Sequence, residues 1–399
     1  MANKPAKPLY KDSNLHIIFG ITLIAIMGVS SVTPAFPKIA RELDISPEQV
    51  GLLITAFTLP GIFLNAFLGV LADRFGRRNI IVPSLFLFGV AGAACALVRD
   101  FELLLIFRFI QGVGGASLGS LNLTIIGDLY SSQNRATAMG YNASVLSMGT
   151  ATYPVIGGGL ATFGWHYPFL LPLLAIPVGL IVIFGLNTPE PRGTSDIRTY
   201  LSEAWKTIKR VPVIGVFILF TTTFIILYGP YLSYMPFLIE NRFGGTSFLI
   251  GAFFFIGSIA TAVTSSQLGK LTTSYSSRTL LRTSYVLYLI SMLGMPLSPS
   301  IWILSLPVIL FGVAQGLNIP TLQSLLAGFA PLENRAAVMS VNGMVLRLGQ
   351  TLGPVIMGGI YSFTNLNTTF YAGMLVAVFM FVIAWGMLSS NKQSDQENC

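Results

Sequence analysis

The sequence predicts an all-α polytopic membrane protein, with twelve transmembrane helices in two six-helix bundles related by a pseudo-two-fold axis. Three observations predict it. Only 10% of the 399 residues are charged and 53% are hydrophobic, whereas soluble domains carry about 25% charged residues. The apolar residues come in continuous runs, and a helix needs about 20 such residues to cross the hydrocarbon core. The two halves of the chain also repeat each other. A β-barrel would instead show alternating segments of about ten residues with a polar lumen face.

The runs place spans near 14–40, 47–71, 79–98, 101–127, 134–160, 166–187, 212–240, 246–271, 279–297, 301–328, 334–362 and 367–389. The longest polar gap, Thr188 to Arg210, divides the chain almost in half. It sets an N-terminal bundle at 1–187, a linker at 188–211 and a C-terminal bundle at 212–399. The first run, from Ile17, is too long for the apolar core of a cleaved signal peptide and ends without a small-residue cleavage site.

The basic residues fall on one side of these spans. That side receives Lys4, Lys7, Lys11, Arg74, Arg77, Arg78, Arg135, Arg192, Arg198, Lys206, Lys209, Arg210, Lys270, Arg278, Arg282, Arg335 and Lys392. The other receives Lys38, Arg41, Arg99 and Arg242, mostly beside acids. The positive-inside rule puts both termini and the linker in the cytoplasm. It also accounts for the net charge of +8 without nucleic-acid binding. The expected location is a bacterial-type inner membrane. The two cysteines, Cys95 in a span and Cys399 at the end, make no disulfide framework or metal site.

The repeat runs at an offset of 200. Asn134 to Gly159, NRATAMGYNASVLSMGTATYPVIGGG, aligns without gaps with Asn334 to Gly359, NRAAVMSVNGMVLRLGQTLGPVIMGG, and about half the positions are identical. GVLADRFGRR (Gly69 to Arg78) has a degraded copy in GKLTTSYSSR (Gly269 to Arg278). An offset of six helices makes the halves parallel repeats, a transporter architecture with its substrate site between them.

Three motifs carry a resemblance to a known family. GVLADRFGRR fits a loop signature G-x-L-a-D-r-x-G-r-k. RFIQGVGGA (Arg108 to Ala116) fits a fourth-helix signature R-x-x-Q-G-x-g-a. GTATYPVIGG (Gly149 to Gly158) fits the fifth-helix signature G-x-x-x-G-P-x-x-G-G, with Tyr153 in place of one glycine; the eleventh helix restores it as Gly353-Pro354. Over essentially its whole length the chain resembles the major facilitator superfamily, and more narrowly its twelve-helix drug:proton antiporter branch. The resemblance implies a monomeric secondary transporter, powered by a proton gradient without a cofactor, exporting hydrophobic or amphipathic small molecules.

The resemblance also implies roles. In the loop, Gly69, Asp73, Arg74, Gly76, Arg77 and Arg78, with Asp128 at the end of the fourth span, are implied to latch the cytoplasmic side. Asp73 would sit against the eleventh helix near Glu333, Asn334 and Arg335, where an anion is stabilised by the helix dipole. Arginines alone would serve as a topology anchor; the aspartate and two glycines at fixed spacing go beyond that. Arg108 lies about 10 Å into the fourth span at 1.5 Å per residue. It is either a snorkelling end residue or, with Gln111, Gly115, Gly119 and Asn122 on the same stripe, part of a polar face toward the bundle interior; the family ties it to proton coupling.

The remaining cavity candidates are Met27, Ser31 and Pro34 in the first span, Phe224, Tyr228, Tyr231 and Met235 in the seventh, and Gln315, Asn318 and Gln323 in the tenth. Ordinary packing competes with cavity lining for each aromatic. Gly149, Pro154 and Gly158, and Gly349, Gly353, Pro354 and Gly358, make thin, kinkable helices suited to rocking between halves.

No Asp or Glu lies at mid-depth in any span. The acids Asp44, Glu48, Asp73, Asp100, Glu102, Asp128, Glu240 and Glu333 sit in loops or at helix ends. The deep charges are Arg108 and Arg347, the latter about 20 Å into the eleventh helix. Two transport readings follow. One is proton-driven export with an end-of-helix acid such as Asp128 carrying the proton. The other is transport of an organic anion bound by Arg108 and Arg347, since arginine matches carboxylate and phosphate geometry. A receptor or scaffold on the same fold is the remote third. An enzyme is not expected: only His16 and His166 are present, and no P-loop occurs.

Overall fold

The computed structural model describes residues 9–186, 209–329 and 335–389. Most of the linker at 188–211, the residues Glu333 and Asn334 and the terminal Cys399 therefore lie outside the described residues.

Fifteen α-helices are described: α1 Ser13–Ser30, α2 Phe36–Glu42, α3 Pro47–Phe75, α4 Arg77–Leu97, α5 Phe101–Gly115, α6 Leu118–Leu129, α7 Ser132–Phe163, α8 Ala175–Gly185, α9 Val211–Ile226, α10 Met235–Phe243, α11 Ser247–Ser274, α12 Ser277–Leu297, α13 Ile301–Phe329, α14 Arg335–Phe363 and α15 Leu366–Ser389. Their starts carry capping side chains. Asp12 accepts from the Asn14 N–H at 2.9 Å, Asp100 from Leu103 at 2.8 Å, and Thr246 from Leu249 at 3.3 Å. Gln49 Oε1 reaches back to the Ser46 N–H at 2.9 Å. Each such contact satisfies a donor that the first turn of a helix leaves unpaired.

Several expected spans are broken rather than continuous, and proline explains most of the breaks. The run at 14–40 passes from α1 through a 3₁₀ turn at Thr33–Ala35, containing Pro34, into α2. The run at 166–187 begins as a 3₁₀ stretch, Tyr167–Leu174, with Pro168 and Pro172. The run at 212–240 contains a π-helical stretch, Leu227–Tyr234, around Pro230. A proline removes an intrahelical donor and crowds the preceding turn; at Pro230 the Ser233 hydroxyl donates to the Tyr228 carbonyl at 2.7 Å. The fourth span breaks between α5 and α6, beside Gly114 and Gly115.

Ten helical segments among the described residues are long and apolar enough to cross a membrane. The expected spans at 134–160 and 334–362 are present as α7 and α14 but are not among the ten. Both exceed the roughly 30 Å of the hydrocarbon core at 1.5 Å per residue. Their lower hydropathy has a structural reason: α14 packs along α3 and α7 along α11. A helix shielded by protein along one side can carry glycine and polar residues that lipid would penalise.

The buried side chains form two cores. One gathers Leu15 through Leu186, the other Val213 through Ala384. Phe237 is the exception: it comes from α10 and packs into the first core. The first core therefore holds the N-terminal segment, the second the C-terminal segment, and they meet along the seams α3–α14 and α7–α11.

Candidate functional site

The seams are tight at one end and loose at the other. Near the start of α3, a Cβ added to Gly51 would lie 3.4 Å from Pro354, and one added to Gly358 would lie 3.3 Å from Glu48. Lower down, Thr58 and Thr351 hydroxyls meet at 2.8 Å, and Thr55 donates to the Thr351 carbonyl at 3.2 Å. On the other seam Gly158 abuts the Ser247 carbonyl, and Gly251 abuts the Pro154 carbonyl, so closely that no side chain fits. Beside them Arg41 pairs with Glu240 across the halves. We call this the Arg41 end.

At the opposite end no such contacts occur among the described residues, which leave out 330–334 just before α14. Gly69 on α3, Gly140 on α7 and Gly269 on α11 have nothing within 4 Å of an added Cβ. On α7, Tyr141 and Met148 are exposed. Among the glycine and proline positions singled out in the sequence, Pro154, Gly158, Pro354 and Gly358 face the other half. Gly149 packs against Leu23, Gly349 against Phe224 and Gly353 against Gly229, each within its own half.

The loose end holds a charge cluster. Arg77 pairs with Asp73 at 2.5 Å and with Asp128 at 3.0 Å. Arg74 is exposed beside Phe75, and Arg78 is half-buried. Gly76 joins α3 to α4 with φ +94°, a left-handed backbone that any side chain would strain. The Asp73 carboxyl is pushed above the usual carboxylate range by burial; Arg77 pulls it down and Asp128 pushes it up. An acid with a raised pKa favours its conformation while protonated, and that contribution is lost as pH rises through the raised value. Asp73→Asn at neutral pH is therefore expected to increase the population of this conformation. Distance measurements across the two ends read the shift; unchanged populations would leave the loop as a topology anchor.

Arg108 is 1% exposed. Its Nε donates to the Leu53 carbonyl at 3.1 Å, and one terminal nitrogen donates to the Gly28 carbonyl at 2.9 Å and to Gln111 Oε1 at 2.7 Å. The guanidinium also lies 4.6 Å from the Phe57 ring centre. It ties α1, α3 and α5 together inside the first core. Snorkelling is excluded by that burial, and no face of Arg108 is open to a ligand in this conformation.

Arg347 is different. It is half-buried on the α3–α14 seam, where its side chain packs on Gly61, 3.0 Å from an added Cβ. Its one hydrogen bond among the described residues goes to Gln350 Oε1 at 3.2 Å. Tyr228 lies within its electrostatic reach. Phe224 and Tyr228, both half-buried, stack with ring centres 5.9 Å apart.

Four expected cavity residues lie inside the cores instead. Met27 is 1% exposed, and Ser31 is buried with its hydroxyl bonded to the Met27 carbonyl at 2.8 Å. Met235 is buried, and Tyr231 stacks on Phe311 with ring centres 4.0 Å apart. The π-helical turn at Leu227–Tyr234 shifts the register, so i+3/i+4 spacing across Pro230 no longer marks one face.

The structure shows one polar trio and one polar pair, in which Thr22, Asn142 and Thr223 join the Asn122 and Asn318 already singled out in the sequence. Asn122 on α6 donates to Thr22 on α1, and Thr22 donates to Asn142 on α7 at 2.5 Å. In the second half Asn318 on α13 donates to Thr223 on α9 at 2.7 Å. Asn342, the repeat equivalent of Asn142, is buried on α14 with its Oδ1 unpartnered. Among the described residues Gln315 has neither polar atom partnered, and Asn122 Oδ1 likewise has no partner. The signal was in the repeat alignment, where Asn142 and Asn342 coincide.

The sequence profile of the Major Facilitator Superfamily matches residues 18–327 and 243–398. The chain is a member of the Major Facilitator Superfamily. It is 23% identical over 400 residues to the bacillibactin exporter of Bacillus subtilis, covering 96% of this chain and 98% of that one. It is 27% identical over 382 residues to multidrug resistance protein 1 of the same organism, covering 94% and 97%. Its fold matches a bacterial homologue of the human lysosomal transporter Spinster with a TM-score of 0.75, at 18% identity over 96% of each chain. As a superfamily member it is a multi-pass secondary transporter of small molecules and not an enzyme.

Proposed function

We propose that this superfamily member is a proton-coupled exporter of hydrophobic or amphipathic small molecules, working by alternating access. Its twelve spans, α7 and α14 included, form bundles at 1–187 and 212–399 joined by the linker at 188–211. The observation that carries the reading is the asymmetry of the seams among the described residues: backbone-close contacts at the Arg41 end, and none at Gly69, Gly140 and Gly269 at the Asp73 end. Positive-inside bias puts the Asp73 end in the cytoplasm, so this conformation is inward-open. Rocking about the seams would part the Arg41 end and bring α3 and α14 together beside Asp73, forming the latch.

The unpartnered Gln315 amide and the unpartnered Oδ1 atoms of Asn122 and Asn342 supply polar groups for a ligand or for rearranged helix contacts. Protons would exchange at the Asp73–Arg77–Asp128 cluster, which holds both acids of the loose end that the structure brings together. The test is uptake into liposomes under imposed pH gradients. Transport that accelerates with the gradient is expected; transport indifferent to pH in both directions would sink proton coupling. The second reading, an organic anion, is favoured by the environment of Arg347.

A further inference from the structure

Resting on the transport reading above, we propose that the substrate is an organic anion with an aromatic or apolar body, and that Arg347, rather than Arg108, is its counter-charge. The two deep arginines are not equivalent. The Arg108 guanidinium is buried, donates to the Leu53 and Gly28 carbonyls and to Gln111, and faces Phe57 and Phe169. Arg347 has one neutral partner, Gln350, and no ion pair among the described residues. Between Glu240 and Glu333 the sequence has no acid, and none follows until Asp395. A cation drawn out of water with no counter-charge is costly, and a fixed anion relieves that cost.

The surroundings fit a ligand. Arg347 lies on the seam that rocking must open and close, against the bare backbone of Gly61 on the facing helix. The stack of Phe224 on α9 and Tyr228 in the π-helical turn after it stands beside Arg347, with Phe224 touching α14 at Gly349. A planar guanidinium matches a carboxylate, sulfonate or phosphate. The stacked rings offer a flat apolar face for the body that carries it.

The choice of an anion also accounts for the missing mid-depth carboxylate. A membrane potential negative inside expels an anion on its own. Exchange of an exported anion for an imported proton moves charge in the favourable sense on both arms. No acid inside a span is needed to neutralise the cargo.

The test uses the full chain in liposomes with four probes: the anions carboxyfluorescein and anilinonaphthalene sulfonate, and the cations ethidium and tetraphenylphosphonium. Wild type is expected to move the anions, faster when a potassium–valinomycin potential drives them. Arg347→Gln is expected to raise KM for the anions about tenfold or more, the size of losing one charge-assisted pair. Arg347→Lys is expected to recover part of the loss. Both variants are compared with wild type by elution profile and melting curve. Transport of the cations but not the anions overturns the proposal and leaves the transport reading standing. So does a folded Arg347→Gln variant with wild-type KM for the anions. Transport of neither class overturns the transport reading itself.

Discussion

Valine at Gly158 or Gly251 is expected to hold the Arg41 end apart and to abolish transport. In this conformation the backbone of α7 at Gly158 lies against the Ser247 carbonyl, and α11 at Gly251 lies against the Pro154 carbonyl. A β-branched side chain at either position cannot be accommodated by turning a flexible neighbour, because the obstacle is main chain. Overpacking of this kind costs about 1–3 kcal/mol, which shifts a two-state population by roughly 5- to 150-fold. Labelling of a cysteine at Glu42 by a membrane-impermeant maleimide should rise accordingly, while a label at Gly140 becomes slower. Gly157→Val is the contrast. Gly157 abuts the Ser31 backbone within the same half, so its substitution should lower melting temperature without favouring one state. Equal behaviour of Gly157→Val and Gly158→Val would remove the distinction between seam and core on which the rocking account depends.

Arg108→Ala is expected to cost about 3 kcal/mol or more of stability, since it removes charge-assisted hydrogen bonds and leaves buried acceptors behind. Gly28 lies in the last turn of α1, so its carbonyl is one that the helix itself leaves unpaired. The cation there also complements the helix dipole. Arg108→Lys should recover little, because an ammonium cannot reach the Leu53 and Gly28 carbonyls and Gln111 from one position with the geometry of a planar fork. Melting curves of the purified protein in detergent measure both. A fully stable Arg108→Ala variant that fails only in transport would return Arg108 to the proton-coupling role that the resemblance implies.

The helical membrane fold was legible from composition and run length alone, because lipid leaves the backbone no other open-ended solution. The breaks were less legible. Pro34, Pro172 and Pro230 are visible in the sequence, but whether a proline kinks, ends or swells a helix depends on the packing around it. That local swelling is why Tyr231 and Met235, placed on the cavity stripe by simple periodicity, turn into the second core. Arg108 and Arg347 read alike in sequence, two deep cations without acids. Only the fold separates the one that staples three helices from the one left with a single amide. Hydropathy ranked α7 and α14 below the other spans for the reason that makes them interesting: each shields a polar, glycine-rich face against the opposite half.

Spin-label distances across both ends test alternating access most directly. One pair, at Gly140 and Gly269, reads the Asp73 end; the other, at Glu42 and Asn241, flanks Arg41 and Glu240. Both are placed in a background lacking Cys95 and Cys399 and measured in lipid across a pH range and with bound probe. Two populations are expected in each pair, a long Gly140–Gly269 distance always accompanying a short Glu42–Asn241 distance, and the reverse. Distances that stay fixed under every condition, or that lengthen at both ends together, would contradict rocking about the α3–α14 and α7–α11 seams.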